Sequence, residues 1–308
     1  MARIFVHAGL PKTATTTLQQ QLFPHLPGVT YLGPKGREEE QDDLVAAART
    51  VIAAVRFQAR TLLSQGPPAE LLRARDRLLA VAGPVLLSDE GLTAATWRLR
   101  HDAIPLMPVV LRRLFGDAAA AILVFREPLD QLASLLLQKM ANGPVWRPTA
   151  AGNVLLGPAG LADLHLQGLA KGDLRSVLTA ASRWDRIAAA YRDALGPRRV
   201  HLLAYERLFD GSGGHGRAFP AVLGTARVAM ALERRNASTE DRRRAIAERF
   251  YGPAADERRI RAFVDAWGRA AEILGRDPAL CAFLDAHCRD VHREALAATE
   301  ALLAVVPA

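Results

Sequence analysis

Apolar positions along the chain follow two rhythms. Residues 3–8, Val29–Leu32, Val85–Ser88, Ala120–Phe125 and Val200–Tyr205 are short continuous apolar runs of the kind that form buried strands. Between them, apolar residues recur every three or four positions, which predicts helices. One such helix starts near Thr15 with Leu18 and Leu22 facing inward. Others cover 38–64 and 69–81, split by Gly66-Pro67-Pro68, then 105–115, 129–141 and 173–195. Residues 143–160, rich in Gly and Pro, read as a loop, and the remainder as mostly helical with a Gly-rich loop at 211–216. Apolar strands alternating with helices predict a parallel sheet covered on both faces. The expected fold is therefore α/β, a three-layer αβα arrangement around a central parallel sheet of about five strands, with a helical C-terminal portion. No repeat or linker divides residues 1–308, so a single domain is expected. In such sheets ligands bind beyond the carboxyl ends of the strands. The polar clusters after the first, third and fourth strands would converge there.

Composition narrows the picture. The 308 residues carry a net charge of +8, which suits an anionic ligand. Four of the 40 basic residues are lysine and the other 36 arginine, a bias that also explains much of the charge. No basic stripe interleaved with aromatics is present, so no nucleic-acid partner is expected. No run approaches the roughly 18 apolar residues of a membrane span, and no basic segment followed by an apolar one marks a secretory signal. The expected setting is cytoplasmic. Cys281 and Cys288 lie seven apart in a helical pattern, too far apart to bond, and read as free thiols. His287, Cys288 and His292 on one helix do not make a tetrahedral set, so no metal site is expected.

The first polar cluster is Pro11-Lys12-Thr13-Ala14-Thr15-Thr16-Thr17, between a strand and a helix. Successive backbone N–H groups there can wrap an anion, helped by the helix N-terminus, the threonine hydroxyls and the Lys12 charge. The bland alternative is four threonines starting an ordinary helix, yet β-branched residues are weak helix formers. The second cluster, Arg126-Glu127-Pro128 through Ser134, is again strand, turn and helix. Pro128 suits a first helical turn, and Arg and Ser can hold a phosphate together. Its bland alternative is Arg126 pairing with Glu127 or Asp130 at the surface.

These stretches resemble the motifs of the sulfotransferases that use 3′-phosphoadenosine 5′-phosphosulfate (PAPS). Residues 9–17 are similar to that family's Pro-Lys-Ser/Thr-Gly-Thr-Thr loop. Arg126 and Ser134, eight apart, match its 3′-phosphate motif, and Val200–Leu208 resembles a later strand. The resemblance implies a P-loop NTPase-like fold. It places Lys12 beside the oxygen bridging phosphate and sulfuryl group. Thr13, Ala14, Thr15, Thr16 and Thr17 would lie on the 5′-phosphate, and Arg126 and Ser134 on the 3′-phosphate. Arg235-Asn236-Ala237-Ser238 would supply a further contact. Two departures stand out. Ala14 replaces the usual glycine, so its backbone has negative φ or bears strain. Thr17 stands where some members place a tryptophan against the adenine.

The implied reaction moves a sulfuryl group to a hydroxyl or amine of a carbohydrate, lipid or small-metabolite acceptor and releases 3′-phosphoadenosine 5′-phosphate (PAP). It needs a base for the acceptor proton and a cation for the leaving oxygen. A sulfuryl group carries less charge than a phosphoryl group, so no metal is expected. Leu87-Ser88-Asp89-Glu90-Gly91 ends the third strand with two carboxylates on opposite faces. Glu90 is the first candidate base, with Asp89 and His7 behind it. Two other readings remain open. One is a nucleotide kinase or NTPase whose Asp89 holds magnesium, although residues 9–17 do not fit G-x-x-x-x-G-K-[ST]. The other is a nucleotide-binding protein that catalyses nothing.

Overall fold

The computed structural model describes residues 3–10, 12–33, 42–93, 106–141, 146–149, 152–155, 183–232 and 239–305. Five parallel strands form its central sheet. They are β1 (Ile4–His7), β2 (Thr30–Leu32), β3 (Val85–Ser88), β4 (Ala119–Phe125) and β7 (Val200–Ala204), in the spatial order β2-β3-β1-β4-β7. Alternate residues serve opposite faces, as the pleat requires. Ile4, Val6, Val85, Leu87, Ala121, Leu123, Phe125 and Leu202 pack into one core layer. Phe5, Leu86, Ala120, Ile122, Val124 and Leu203 pack into the other. Burial on both sides explains why these strands read as unbroken apolar runs.

Helices α2 (Asp42–Phe57), α3 (Ala59–Gln65), α4 (Ala69–Leu79), α5 (Leu106–Phe115) and α6 (Pro128–Ala141) cover the first face. The helix Trp184–Leu195 joins them there, with Trp184 against Phe125 at 5.1 Å between ring centroids. The opposite face receives helix α1 (Thr15–Thr17) with its continuation, and the helix His215–Leu223. α1 widens into a π turn over Leu18–Leu22 and tightens into a 3-10 turn over Phe23–His25. The last long helix, Asp290–Val305, packs along β7 at the edge of the sheet. Its Thr299 hydroxyl accepts the Ala204 N–H at 2.8 Å, so a donor at the end of the edge strand has a buried partner.

The expected strands are present with end shifts of at most one residue. Tyr205 leaves β7 to open a short helix, Tyr205–Leu208. The helix expected over 38–64 breaks at Gln58, whose backbone (φ −121°, ψ 12°) is not helical, and Gly66 ends the second piece at φ 85°. The expected loop at 143–160 contains an antiparallel pair, β5 (Trp146–Thr149) and β6 (Gly152–Leu155). Pro148 and Gly152 lie within these strands, where a two-stranded edge tolerates them, and the rest of that stretch lies outside the described residues. The first part of the helix expected over 173–195 lies outside the described residues. Cys281 and Cys288 form no disulfide; Cys281 lies in the helix Pro278–Leu284 and Cys288 in the π turn Asp285–Arg289 that follows it. Among the described residues no helix is long and apolar enough to cross a membrane.

Two features of register set up the carboxyl edge of the sheet. β1 ends at His7 opposite Ser88 of β3 and Ile122 of β4. β4 then runs on to Phe125, about 10 Å further at strand rise. The residue after it, Arg126, is thereby lifted to the level at which the chain beyond β1 turns. On the other side, the turn Glu90–Thr93 after β3 is anchored by the fully buried Tyr191, whose hydroxyl donates to the Leu92 carbonyl at 2.5 Å. Replacing Tyr191→Phe leaves that buried carbonyl without its donor. It should lower unfolding free energy by about 1–2 kcal/mol, which denaturant titration would measure. No change would show that the bond does not anchor this turn.

Candidate functional site

The chain leaves β1 at His7 and reverses over the end of the sheet. Within this reversal Lys12 and Ala14 both adopt positive φ, 68° and 60°. Left-handed backbone costs a residue with a Cβ roughly 1–2 kcal/mol, so Ala14 bears strain where a glycine would not. Alternating such conformations turns successive N–H groups toward one concave side. Thr13 is fully buried, and its hydroxyl donates to the Leu10 carbonyl at 2.7 Å, closing the loop on itself. Thr15 is 2 % exposed and its Oγ1 has no partner. Gly9 makes room for it, since a Cβ at Gly9 would lie 2.3 Å from that oxygen. Thr16 is half-buried and Thr17 buried. Burial of Thr17 removes it as a surface against a base. Pro11 lies outside the described residues.

The β4–α6 turn supplies the second part. Glu127 caps α6, its carboxylate accepting the Asp130 N–H at 2.8 Å, and its own N–H donates to Glu206 at 2.6 Å. With Glu127 thus occupied, Arg126 turns to the first loop. Its Nη1 donates to the Ser134 hydroxyl at 3.2 Å and to the Lys12 carbonyl at 3.5 Å, and its Cζ lies 4.8 Å from the centroid of the Tyr205 ring. The Lys12 ammonium donates to Oε1 of Gln138, one turn beyond Ser134 on the same face of α6. Lys12, Arg126 and Ser134, found in two separate stretches of sequence, therefore meet.

Charge completes the picture. Burial pushes the Lys12 pKa down, Arg242 and Arg126 push it further, and Glu90 opposes them. Two guanidinium groups and one carboxylate thus act on the Lys12 ammonium. Such a site favours a multiply charged anion. The positive-φ loop and the orphaned Thr15 hydroxyl fit phosphate-type oxygens as well. The sequence reading missed Gln138, Tyr205 and Arg242. Gln138 had a signal, its helical spacing from Ser134. Arg242 had none, since it arrives from the distant helix Glu240–Tyr251. The neighbouring stretch 235–238 lies outside the described residues.

The three candidate bases separate. Asp89 is committed elsewhere, with Oδ2 accepting from Arg56 at 3.1 Å and Oδ1 from the Gly91 N–H at 2.6 Å. Burial pushes its carboxyl up, and those two donors oppose the shift. Glu90 is the carboxylate whose charge reaches Lys12. His7 is fully buried between the rings of Phe23 and Phe219. Gln19 donates to the Ser88 hydroxyl at 3.0 Å, and that hydroxyl is hydrogen-bonded to His7 Nδ1 at 2.8 Å. His7 is thus a neutral strut beneath the loop, with its pKa lowered by burial to about 3. Among the described residues no three His, Cys, Asp or Glu side chains gather as metal ligands. His287 pairs with Asp185 and His292 with Glu206.

No protein-family model matches the chain, and no curated protein does. Among solved structures it is similar to a sulfotransferase from Alicyclobacillus acidocaldarius, with 15% sequence identity and a TM-score of 0.45. The alignment covers 87% of this chain and 99% of that one. A likeness at this level carries no inference about residues or activity, which rest on the geometry above.

Two outcomes are expected. Ala14→Gly relieves the left-handed strain (roughly 1–2 kcal/mol) while adding unfolded-chain entropy (roughly 0.4–1 kcal/mol). The net gain, on the order of 0.5–1 kcal/mol, should raise the melting temperature, and a fall would contradict the strain. For His7, the unfolded chain binds a proton below its ordinary pKa near 6.5 while the folded chain does so only near 3. Its contribution to stability is therefore complete above about pH 6.5 and is lost as pH falls toward 3, by up to about 1.4 kcal/mol per unit. Stability measured against pH should lose this slope in His7→Gln. An unchanged slope would mean that His7 titrates normally.

Proposed function

We propose that this protein is a PAPS-dependent sulfotransferase. The observation that carries the reading is the Arg126 guanidinium donating to both the Lys12 carbonyl and the Ser134 hydroxyl. It joins a 5′-phosphate-type loop to a 3′-phosphate-type clamp, as a nucleotide phosphorylated at both ends requires. The bound donor supplies a sulfuryl group already activated by its link to phosphate.

In this reading Thr13–Thr17 hold the 5′-phosphate through backbone N–H groups and hydroxyls. Arg126 and Ser134 hold the 3′-phosphate, and the Tyr205 ring keeps the guanidinium in its plane. Lys12 offsets the negative charge that develops on the bridging oxygen as its bond to sulfur breaks. Glu90 takes the proton from the acceptor hydroxyl as that oxygen bonds to sulfur. The charge of Glu90 acts on Lys12 in the free protein, which supports giving both a role at one reacting centre. The kinase reading finds no support in Asp89, whose carboxylate is held by Arg56 and the Gly91 N–H rather than presented to a metal.

Purified protein should be stabilised against heat by PAP and lose that response in Arg126→Ala. Conversion of PAPS to PAP with a panel of hydroxylated acceptors should fall by about 10² or more in Lys12→Ala and in Glu90→Gln, the usual scale for such groups. Full activity in the Lys12 variant would overturn the mechanism. A magnesium-dependent response to ATP with none to PAP would favour the kinase. PAP binding with no transfer to any acceptor would leave a binding protein.

A further inference from the structure

Helix α6 carries polar residues on two successive turns of one face, Ser134 and Gln138. Each takes a cation of the site. The Ser134 hydroxyl accepts from Arg126 Nη1 at 3.2 Å, and Oε1 of Gln138 accepts from the Lys12 ammonium. Residues four apart on a helix lie about 5–6 Å from each other at Cβ, so a single rigid element spaces the two cations. Its rigidity comes from its other face, where Leu132, Leu135, Leu136 and Met140 are buried in the core.

Lys12 is held at both ends. Its carbonyl accepts from Arg126 at 3.5 Å, and its ammonium donates to Gln138. A lysine stem is flexible, and without a partner its charge wanders. That matters for a cation that must meet one leaving oxygen, since a displacement of about 1 Å can cost about 10² in rate. The chemistry of the partner matters as well. Burial lowers the Lys12 pKa, Arg242 and Arg126 lower it further, and Glu90 raises it. An amide oxygen bonded to the ammonium favours its charged form without neutralising it. A carboxylate in the same place would grip the ammonium more firmly and compete with the leaving oxygen for it.

We propose that Gln138 is a positioning residue for sulfuryl transfer, holding the Lys12 ammonium charged and aimed from α6 while Ser134 holds Arg126 one turn away. Its bearing on transfer rests on the sulfotransferase reading, whereas its hold on Lys12 rests on the contact alone. In the transfer step the acceptor oxygen bonds to sulfur and the hydroxyl proton passes to Glu90. The bond from sulfur to the bridging oxygen breaks with its electron pair on that oxygen, where Lys12 meets the new charge. Gln138 exchanges no proton in this role and acts through Lys12.

The test follows Lys12 directly. The chain has four lysines, Lys12, Lys35, Lys139 and Lys171, so brief acetylation by an N-hydroxysuccinimide ester is readily assigned to each by peptide mass spectrometry. Only the neutral amine reacts, and the rate at Lys12 against pH gives a midpoint for the nucleotide-free protein. Gln138→Met keeps the length of the side chain and removes its carbonyl, whereas Gln138→Glu puts a carboxylate there. The midpoint should fall in Gln138→Met, which takes a partner from the charged form, and rise in Gln138→Glu, which adds an opposite charge. A role in helix packing alone would move both the same way or neither. Turnover of PAPS at saturating donor should drop about tenfold in Gln138→Met, the scale of one charge-assisted hydrogen bond. An unmoved midpoint, or shifts of one sign in both variants, would overturn the hold on Lys12. Opposite shifts with full turnover in Gln138→Met would overturn the positioning role. Opposite shifts in a protein that neither binds PAP nor converts PAPS would sustain the hold on Lys12 and overturn the sulfotransferase reading.

Discussion

Arg126 binds two distant parts of the chain into one surface, and the rest of the site depends on that junction. It is held from several directions, by the Lys12 carbonyl, the Ser134 hydroxyl and the face of Tyr205. Its position follows from strand length. β4 runs three residues past its last pairing with β1, so the guanidinium meets the loop above β1 rather than the sheet below it. Glu127, which might have neutralised Arg126, is turned away by capping α6 and by its N–H bond to Glu206. Glu206 is itself paired with His292 from the last helix. The C-terminal segment thus helps to hold a turn that lies far from it in sequence.

Beneath this junction the polar groups are organised in the opposite way. The site above concentrates positive charge, with the Lys12 pKa lowered by burial and further by Arg242 and Arg126. The layer below holds His7, Ser88 and Gln19 neutral, buried and mutually bonded. Separation of the two matters physically. A protonated His7 below the loop would add a desolvated charge with no counterion, whereas the cations above can be balanced by an incoming anion. The strain at Lys12 and Ala14 lies at the boundary between these layers, where the chain must reverse in a few residues.

Much of the architecture was legible in the sequence, because strands buried on both faces leave apolar runs and covering helices leave a helical period. The failures are local and have causes. Gln58 interrupts a helical pattern without a Gly or Pro to announce it, since a backbone bend there is set by packing of α2 and α3 on the same core. The β5–β6 pair was hidden because a short hairpin rich in Gly and Pro has the composition of a loop. Within the site, Lys12, the threonines, Arg126 and Ser134 were visible as motifs. Ala14 was recognised as a departure, and its φ of 60° shows that the chain accepts the strained alternative.

The sequence by itself determined the order and type of the main elements and the residue types present at three strand ends, because periodicity and turn chemistry are local properties. Only the tertiary structure decided which of those residues meet. It separated Asp89, bound to Arg56, from Glu90, whose charge acts on Lys12, although the two are adjacent in the chain. It also withdrew His7 into the core and brought in Gln138, Tyr205 and Arg242. Burial, hydrogen-bond partnership and electrostatic range depend on strand register and on helices that cross from remote positions, and no local pattern encodes those distances.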